Sequence, residues 1–178
     1  EFEKYRQIPE YHLVNKGMTL EEFKQIYWWE WGHRLLGRFV GVLFIVPFLF
    51  FLARGWLTRR MLWLTFGAFV LGGMQGAIGW WMVASGLVER TDVSQYRLAA
   101  HLGMAVLIFA YLVWLSLQVG ERPAGQAETW RISFVGRLVA PSVFLQILLG
   151  ALVAGLDAGL AYPTWPLMDG KLVPDGLG

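Results

Sequence analysis

The 178-residue chain contains no cysteine. That absence excludes disulfides, thiolate-ligated heme, cysteine-held iron–sulfur clusters and covalent c-type heme attachment. Charge is scarce as well: 16% of residues are charged and the formal net charge is +2. An excess so small, with no basic cluster alternating with aromatics, leaves no footprint for nucleic acid. Histidine is limited to His12, His33 and His101. Neither an initiator methionine nor a secretory leader opens the chain, which starts Glu1-Phe2-Glu3-Lys4-Tyr5-Arg6. The expectation is therefore an internal piece of a longer protein.

Apolar residues, by contrast, make up 56% of the chain, and they come in four long runs: His33 to Ala53, Met61 to Ala84, Leu98 to Val119 and Ile132 to Gly155. Each is close to the ~20 residues that carry a helix across a ~30 Å hydrocarbon core. None alternates as a spanning strand would. The fold class expected is an all-α, polytopic membrane helical bundle. Residues 1–29 read as a segment outside the bilayer with short amphipathic helices, broken at Pro9 and Gly17. Within it, Thr19-Leu20-Glu21-Glu22 has the form of a capping box. A helix starting there runs past Trp28, Trp29 and Trp31, residues suited to the membrane interface. Residues 30–119 hold three spans. Residues 120–178 hold a loop, the fourth span and a tail.

Arginines set the orientation. Arg54, Arg59 and Arg60 give the first connection +3 with no acid, the mark of a cytoplasmic loop. Glu89 and Asp92 balance Arg90 and Arg97 in the second connection. In the tail, Asp157, Asp169 and Asp175 outweigh Lys171. The third connection (Glu121, Arg122, Glu128, Arg131) is neutral and does not vote. The N-terminus, second connection and tail are thus expected outside. Spans one and three then run the same way, and His33 and His101, near their starts, share one depth. Reversing the orientation moves both together.

Ionisable groups within membrane spans are costly and mark function. Two imidazoles at one depth are positioned to ligate a single metal from opposite sides, and heme iron is the metal that suits a membrane bundle. A polar interhelical hydrogen bond explains them equally well on residues alone. Zinc needs three or four ligands, and no third His or Cys lies at this depth; His12 reads as surface. Glu30 lies one turn before His33, placed to exchange protons during oxidation of a bound group. Its commoner role at such a position is a helix-end carboxylate favoured by the dipole. Arg34, Arg38 and Arg97 lie on the side where arginine is disfavoured and ask for anions. Heme propionates fit, as do Glu30, Glu89 and Asp92, or snorkelling toward headgroups. Gln75, Gln146 and the glycine pairs 37/41, 72/76 and 155/159 read as helix packing.

Five stretches carry a resemblance: Met18-Thr19-Leu20-Glu21-Glu22-Phe23-Lys24, Trp29-Glu30-Trp31-Gly32-His33-Arg34, Gly79-Trp80-Trp81-Met82-Val83-Ala84-Ser85-Gly86-Leu87, Val93-Ser94-Gln95-Tyr96-Arg97-Leu98-Ala99-Ala100-His101-Leu102 and Val153-Ala154-Gly155-Leu156-Asp157-Ala158-Gly159. In order, from the first residue to about Asp169, the chain resembles the heme A synthase family, in its cysteine-free proteobacterial and mitochondrial branch. The resemblance implies oxidation of a methyl group of heme O to a formyl group, giving heme A for terminal oxidases. It implies an eight-helix bundle of two similar halves, each with a His pair. His33 and His101 match the pair associated with substrate heme, and Glu30 matches the acidic residue implicated in oxidation. Arg34 and Arg97 are the matching candidates for propionates. The four spans match the second to fifth of the family's eight. The second His pair, and the heme b expected there, fall outside this chain, which is not expected to turn over alone. A bacterial inner membrane, or the mitochondrial one, is the implied location. Heme O, the lipid bilayer, heme O synthase and oxidase assembly factors are the implied partners, and self-association stays open. The alternatives are a non-enzymatic bis-His b-type cytochrome, which gives Glu30 no task, and a heme-free bundle.

Overall fold

The computed structural model describes residues 1–85, 91–119, 130–164, 166–168 and 170–172, the side chains of 130–133 excepted. The described residues are helical nearly throughout. Two short helices, α1 (Phe2–Tyr5) and α2 (Pro9–Leu13), precede four long ones: α3 (Leu20–Ala53), α4 (Arg59–Val83), α5 (Gln95–Val119) and α6 (Trp130–Ala154). A short α7 (Ala158–Ala161) follows. All four long helices are long and apolar enough to cross a membrane. The spans expected from the sequence are present, with α5 starting at Gln95 rather than Leu98 and α6 starting at Trp130 rather than Ile132.

Local chemistry sets the ends of α3. The Thr19 hydroxyl accepts from the Glu22 amide at 3.4 Å, and the Glu22 carboxylate accepts from the Thr19 amide at 2.8 Å. This reciprocal pair satisfies two backbone donors that a helix start leaves unpaired. At the other end Gly55 takes φ +67°, its amide donates to the Leu52 carbonyl, and the Trp56 amide donates to the Phe51 carbonyl. Glycine reaches this left-handed conformation without a Cβ clash. Trp56 then folds its ring onto Phe50 and Phe51, and Thr58 caps α4 by accepting from the Met61 amide. At 34 residues, α3 is about 50 Å long, well beyond the hydrocarbon core, so it projects from the bilayer. Pro47 in α3 and Pro141 in α6 sit inside the helices without ending them, as membrane helices tolerate.

The long helices pack in chain order: α3 leans sparsely on α4, while α5 packs closely against both α4 and α6. Four polar or stacking contacts pin α4 antiparallel to α5. Arg60 donates to Gln118 at 3.0 Å, and the Tyr111 hydroxyl donates to the Leu64 carbonyl at 2.8 Å. Gln75 meets His101, and Arg97 meets Trp81. Small residues decide where helices approach. A Cβ on Gly103 would stand 2.8 Å from Leu148, and one on Gly155 would stand 2.8 Å from the Gln95 backbone. Of the glycine pairs expected to pack helices, only Gly155 makes a close approach among the described residues. A Cβ at Gly37, Gly41, Gly72, Gly76 or Gly159 would meet nothing there, because all five lie on outward faces. The same holds for Gln146, which is exposed.

Ahead of α3, residues 1–18 fold back as an aromatic cap. Phe2 and Tyr5 each place their rings 5.1 Å from Phe23, the one buried residue of α3. Tyr11 packs edge-on against both. The Tyr5 hydroxyl donates to Glu10 at 3.0 Å and accepts from the Asn15 amide at 2.7 Å. Burial pushes the Tyr5 phenol above its ordinary value of 10.0, aided by the Glu10 carboxylate and opposed by the Asn15 hydrogen bond. The neutral phenol is therefore the form favoured in the folded cap. Its contribution is complete below the unfolded value and lost as pH climbs through the higher folded one.

Two outcomes follow. Gly103→Leu forces α5 and α6 apart and should lower the melting temperature in detergent, by the ~1–3 kcal/mol typical of overpacking. Gly72→Leu, at an open position, should not. In alkaline solution the cap should become accessible to protease before the long helices melt, in step with tyrosinate absorbance. Tyr5→Phe should remove that step; the same step in the variant would place its origin elsewhere.

Candidate functional site

Phe44 of α3 stacks on Phe69 of α4, so His33, about eleven residues earlier on α3, stands near the level of Trp80 on the antiparallel α4, within about a turn of Gln75 and Gly79, which meet His101. Helices α3 and α5 run in the same direction, since α4 turns the chain once between them. His33 is thus more than three turns into α3 rather than at its start, because the capping box launches the helix outside the apolar run. His33 is exposed at the flank of α3, and His101 is partly buried against α4.

Two residues of α4, one turn apart, form the seat of His101. A Cβ on Gly79 would stand 2.8 Å from the imidazole Cε1, so any larger residue there would make the ring shift. Gln75 sends its side-chain amide nitrogen to within 3.2 Å of His101 Nδ1, 3.4 Å of Nε2 and 3.1 Å of the His101 carbonyl. The Gln75 carbonyl oxygen is buried without a partner among the described residues. Sequence reading took Gln75 for packing and gave Gly79 no role. The available signal was a costly amide inside an apolar span with a glycine four residues on.

Glu30 and Arg34 form an i,i+4 ion pair on α3. With side chains 54% and 57% exposed, the pair is worth little to stability. Its effect is to keep a carboxylate one turn from His33. The cap bears on this pair: Glu30 contributes to the electrostatic environment of Tyr5, and Arg34 to that of Glu1. Arg97 lies with its guanidinium 4.5 Å from the Trp81 ring centroid and donates to the Trp81 carbonyl at 2.8 Å. That carbonyl belongs to the last turn of α4, where backbone acceptors lack helical partners and a cation is favoured. The bond uses one of the several guanidinium donors. Of the pairings weighed for Arg97, Glu89 lies outside the described residues, and Asp92 instead accepts from Thr91. Ser85 joins the same two helix ends, donating to the Met82 carbonyl and accepting from the Ser94 amide.

The donor set suits heme iron. Two imidazoles from parallel helices share a depth, one lies in a cradle that a Cβ would fill, and a buried carbonyl oxygen beside it lacks a donor. Among the described residues no three His, Cys, Asp or Glu side chains converge.

Comparison with known proteins gives a consistent identity. The family model described as cytochrome oxidase assembly protein (COX15-CtaA) matches residues 1–178. Heme A synthase of Bradyrhizobium diazoefficiens is 59% identical over 176 residues, covering 97% of this chain and 48% of the relative. Heme A synthase of Parvibaculum lavamentivorans is 55% identical, covering 99% of this chain and 51% of the relative, and that of Maricaulis maris is 54% identical, covering 99% and 51%. The chain spans about half the length of these relatives. No solved structure matches it. With a family model matched from end to end and relatives above 50% identity, the chain belongs to the heme A synthase (COX15-CtaA) family.

Proposed function

We propose that this chain supplies the substrate-heme half of a heme A synthase, which oxidises a methyl group of heme O to a formyl group. The carrying observation is the pair His33 and His101, at one depth on parallel helices, with the Glu30 carboxylate one turn before His33. Heme O is the substrate, held through its iron by the two imidazoles. Its ring edge then lies in the layer that also holds Glu30, Arg34 and Arg97.

Taking a methyl carbon to the formyl level adds an oxygen atom from water, passes electrons to an acceptor outside this chain and releases protons. Glu30 supports this as the proton acceptor at the aqueous edge. Arg34 steadies the Glu30 carboxylate and, with Arg97, presents guanidinium donors to the propionates. Trp81, beneath Arg97, holds that cation at the interface. The arginine-rich turn between α3 and α4 supports a cytoplasmic location for that loop. The heme site then lies toward the outer face of a bacterial inner membrane. A heme b site in the other half of a longer protein, and hand-over from heme O synthase to oxidase assembly factors, complete the reading.

In the complete gene product, His33→Ala and His101→Ala should each abolish heme A formation, as read by pigment extraction. Glu30→Gln should retain heme O and slow its oxidation by roughly 10²–10⁴-fold, the scale of a lost general base. Normal heme A in either histidine variant would overturn the ligand assignment. Extraction of heme b alone from the unaltered protein would instead mark an electron carrier.

A further inference from the structure

We propose that Gln75 is the positioning residue for His101, presenting either face of its amide to the imidazole according to whether Nε2 is engaged. The inference rests on the reading of His101 as a ligand to substrate iron. It starts from the hydrogen bonding. The Gln75 amide nitrogen donates to the His101 carbonyl at 3.1 Å and stands 3.2 Å from Nδ1 and 3.4 Å from Nε2, so in this arrangement the ring nitrogen it meets can only accept. An imidazole that gives Nε2 to iron carries its proton on Nδ1, which then needs an acceptor.

Gln75 carries that acceptor. Its carbonyl oxygen is buried and unpartnered among the described residues, in a setting where an unpaired polar atom is costly. A half-turn of the amide about its last side-chain bond would bring that oxygen to Nδ1–H, giving up the bond to the His101 carbonyl. Leucine offers neither function and glutamate only the acceptor, so glutamine alone serves both tautomers at this size. Gly79 supplies the complementary restraint. Lying one turn along α4, where a Cβ would stand 2.8 Å from Cε1, it lets the ring sit against the helix and limits its swing. Together the two residues set which nitrogen is offered and the rotation of the ring.

The test uses the complete gene product and the low-spin heme signal in electron paramagnetic resonance that is lost in His101→Ala. Gln75→Leu should release substrate heme at least about 10-fold faster, on the scale of losing a metal ligand's hydrogen-bond partner, and shift the g values of that signal. Gln75→Glu should retain heme and lower its midpoint potential, because an anionic acceptor makes the imidazole a stronger donor. Gly79→Ala raises helix propensity yet crowds Cε1. It should shift the g values without loss of thermal stability, which separates ring placement from folding. Unchanged g values and midpoint potential in all three variants would overturn the role of Gln75 while leaving His101 as ligand. Survival of every heme signal in His101→Ala would instead remove the ligand reading itself.

Discussion

The antiparallel register of α4 against α5 is the constraint on which the site depends. Gln75 and Gly79 reach His101 only because the two helices are held in one alignment. Tyr111 on the Leu64 carbonyl and Arg60 on Gln118 fix one end of that alignment. Arg97 on the Trp81 carbonyl and Ser85 bridging to Ser94 fix the other. Sliding α5 by one residue would carry His101 about 1.5 Å along the axis and about 100° around it. That would take the ring out of its seat. In hydrocarbon no hydrophobic force draws apolar helices together, so register falls to close packing and interhelical hydrogen bonds. The tie at each end of α4 is therefore functional as well as structural.

Polar groups within the spans follow the same economy. Thr65, Ser116 and Ser142 return their hydroxyl protons to carbonyls one turn back in their own helices, so lipid meets no open donor there. Pro47 and Pro141 are placed where the helices carry on past them. Against this background the oxygen of Gln75, unpartnered among the described residues, is conspicuous beside His101.

What was legible in the sequence was local or periodic. Thr19 and Glu22 are three residues apart, so their capping box is written in one short stretch. The four spans show as uninterrupted apolar runs, and family motifs around His33 and His101 carried the rest. What was not legible depends on register. Gln75 and His101 are 26 residues apart, and neither helix pattern says which face of α4 meets α5. The same ambiguity hid Gly79 and Gly103. Gly37, Gly41, Gly72 and Gly76 have the spacing of close-packing pairs, yet among the described residues the contacts fall at Gly79, Gly103 and Gly155, of which only Gly155 belonged to such a pair. Arg97 was read against acidic partners because charge complementarity is visible in a sequence, whereas a helix-end carbonyl becomes an acceptor only once the helix ends.

The unbroken run of α3 has a mechanical consequence. Phe23, gripped by the rings of Phe2 and Tyr5, and His33 lie on one rod, and the proline of that rod lies beyond both. No hinge separates the grip from the histidine. A displacement of the aromatic cap at the aqueous end would therefore be carried along the same helix toward the imidazole.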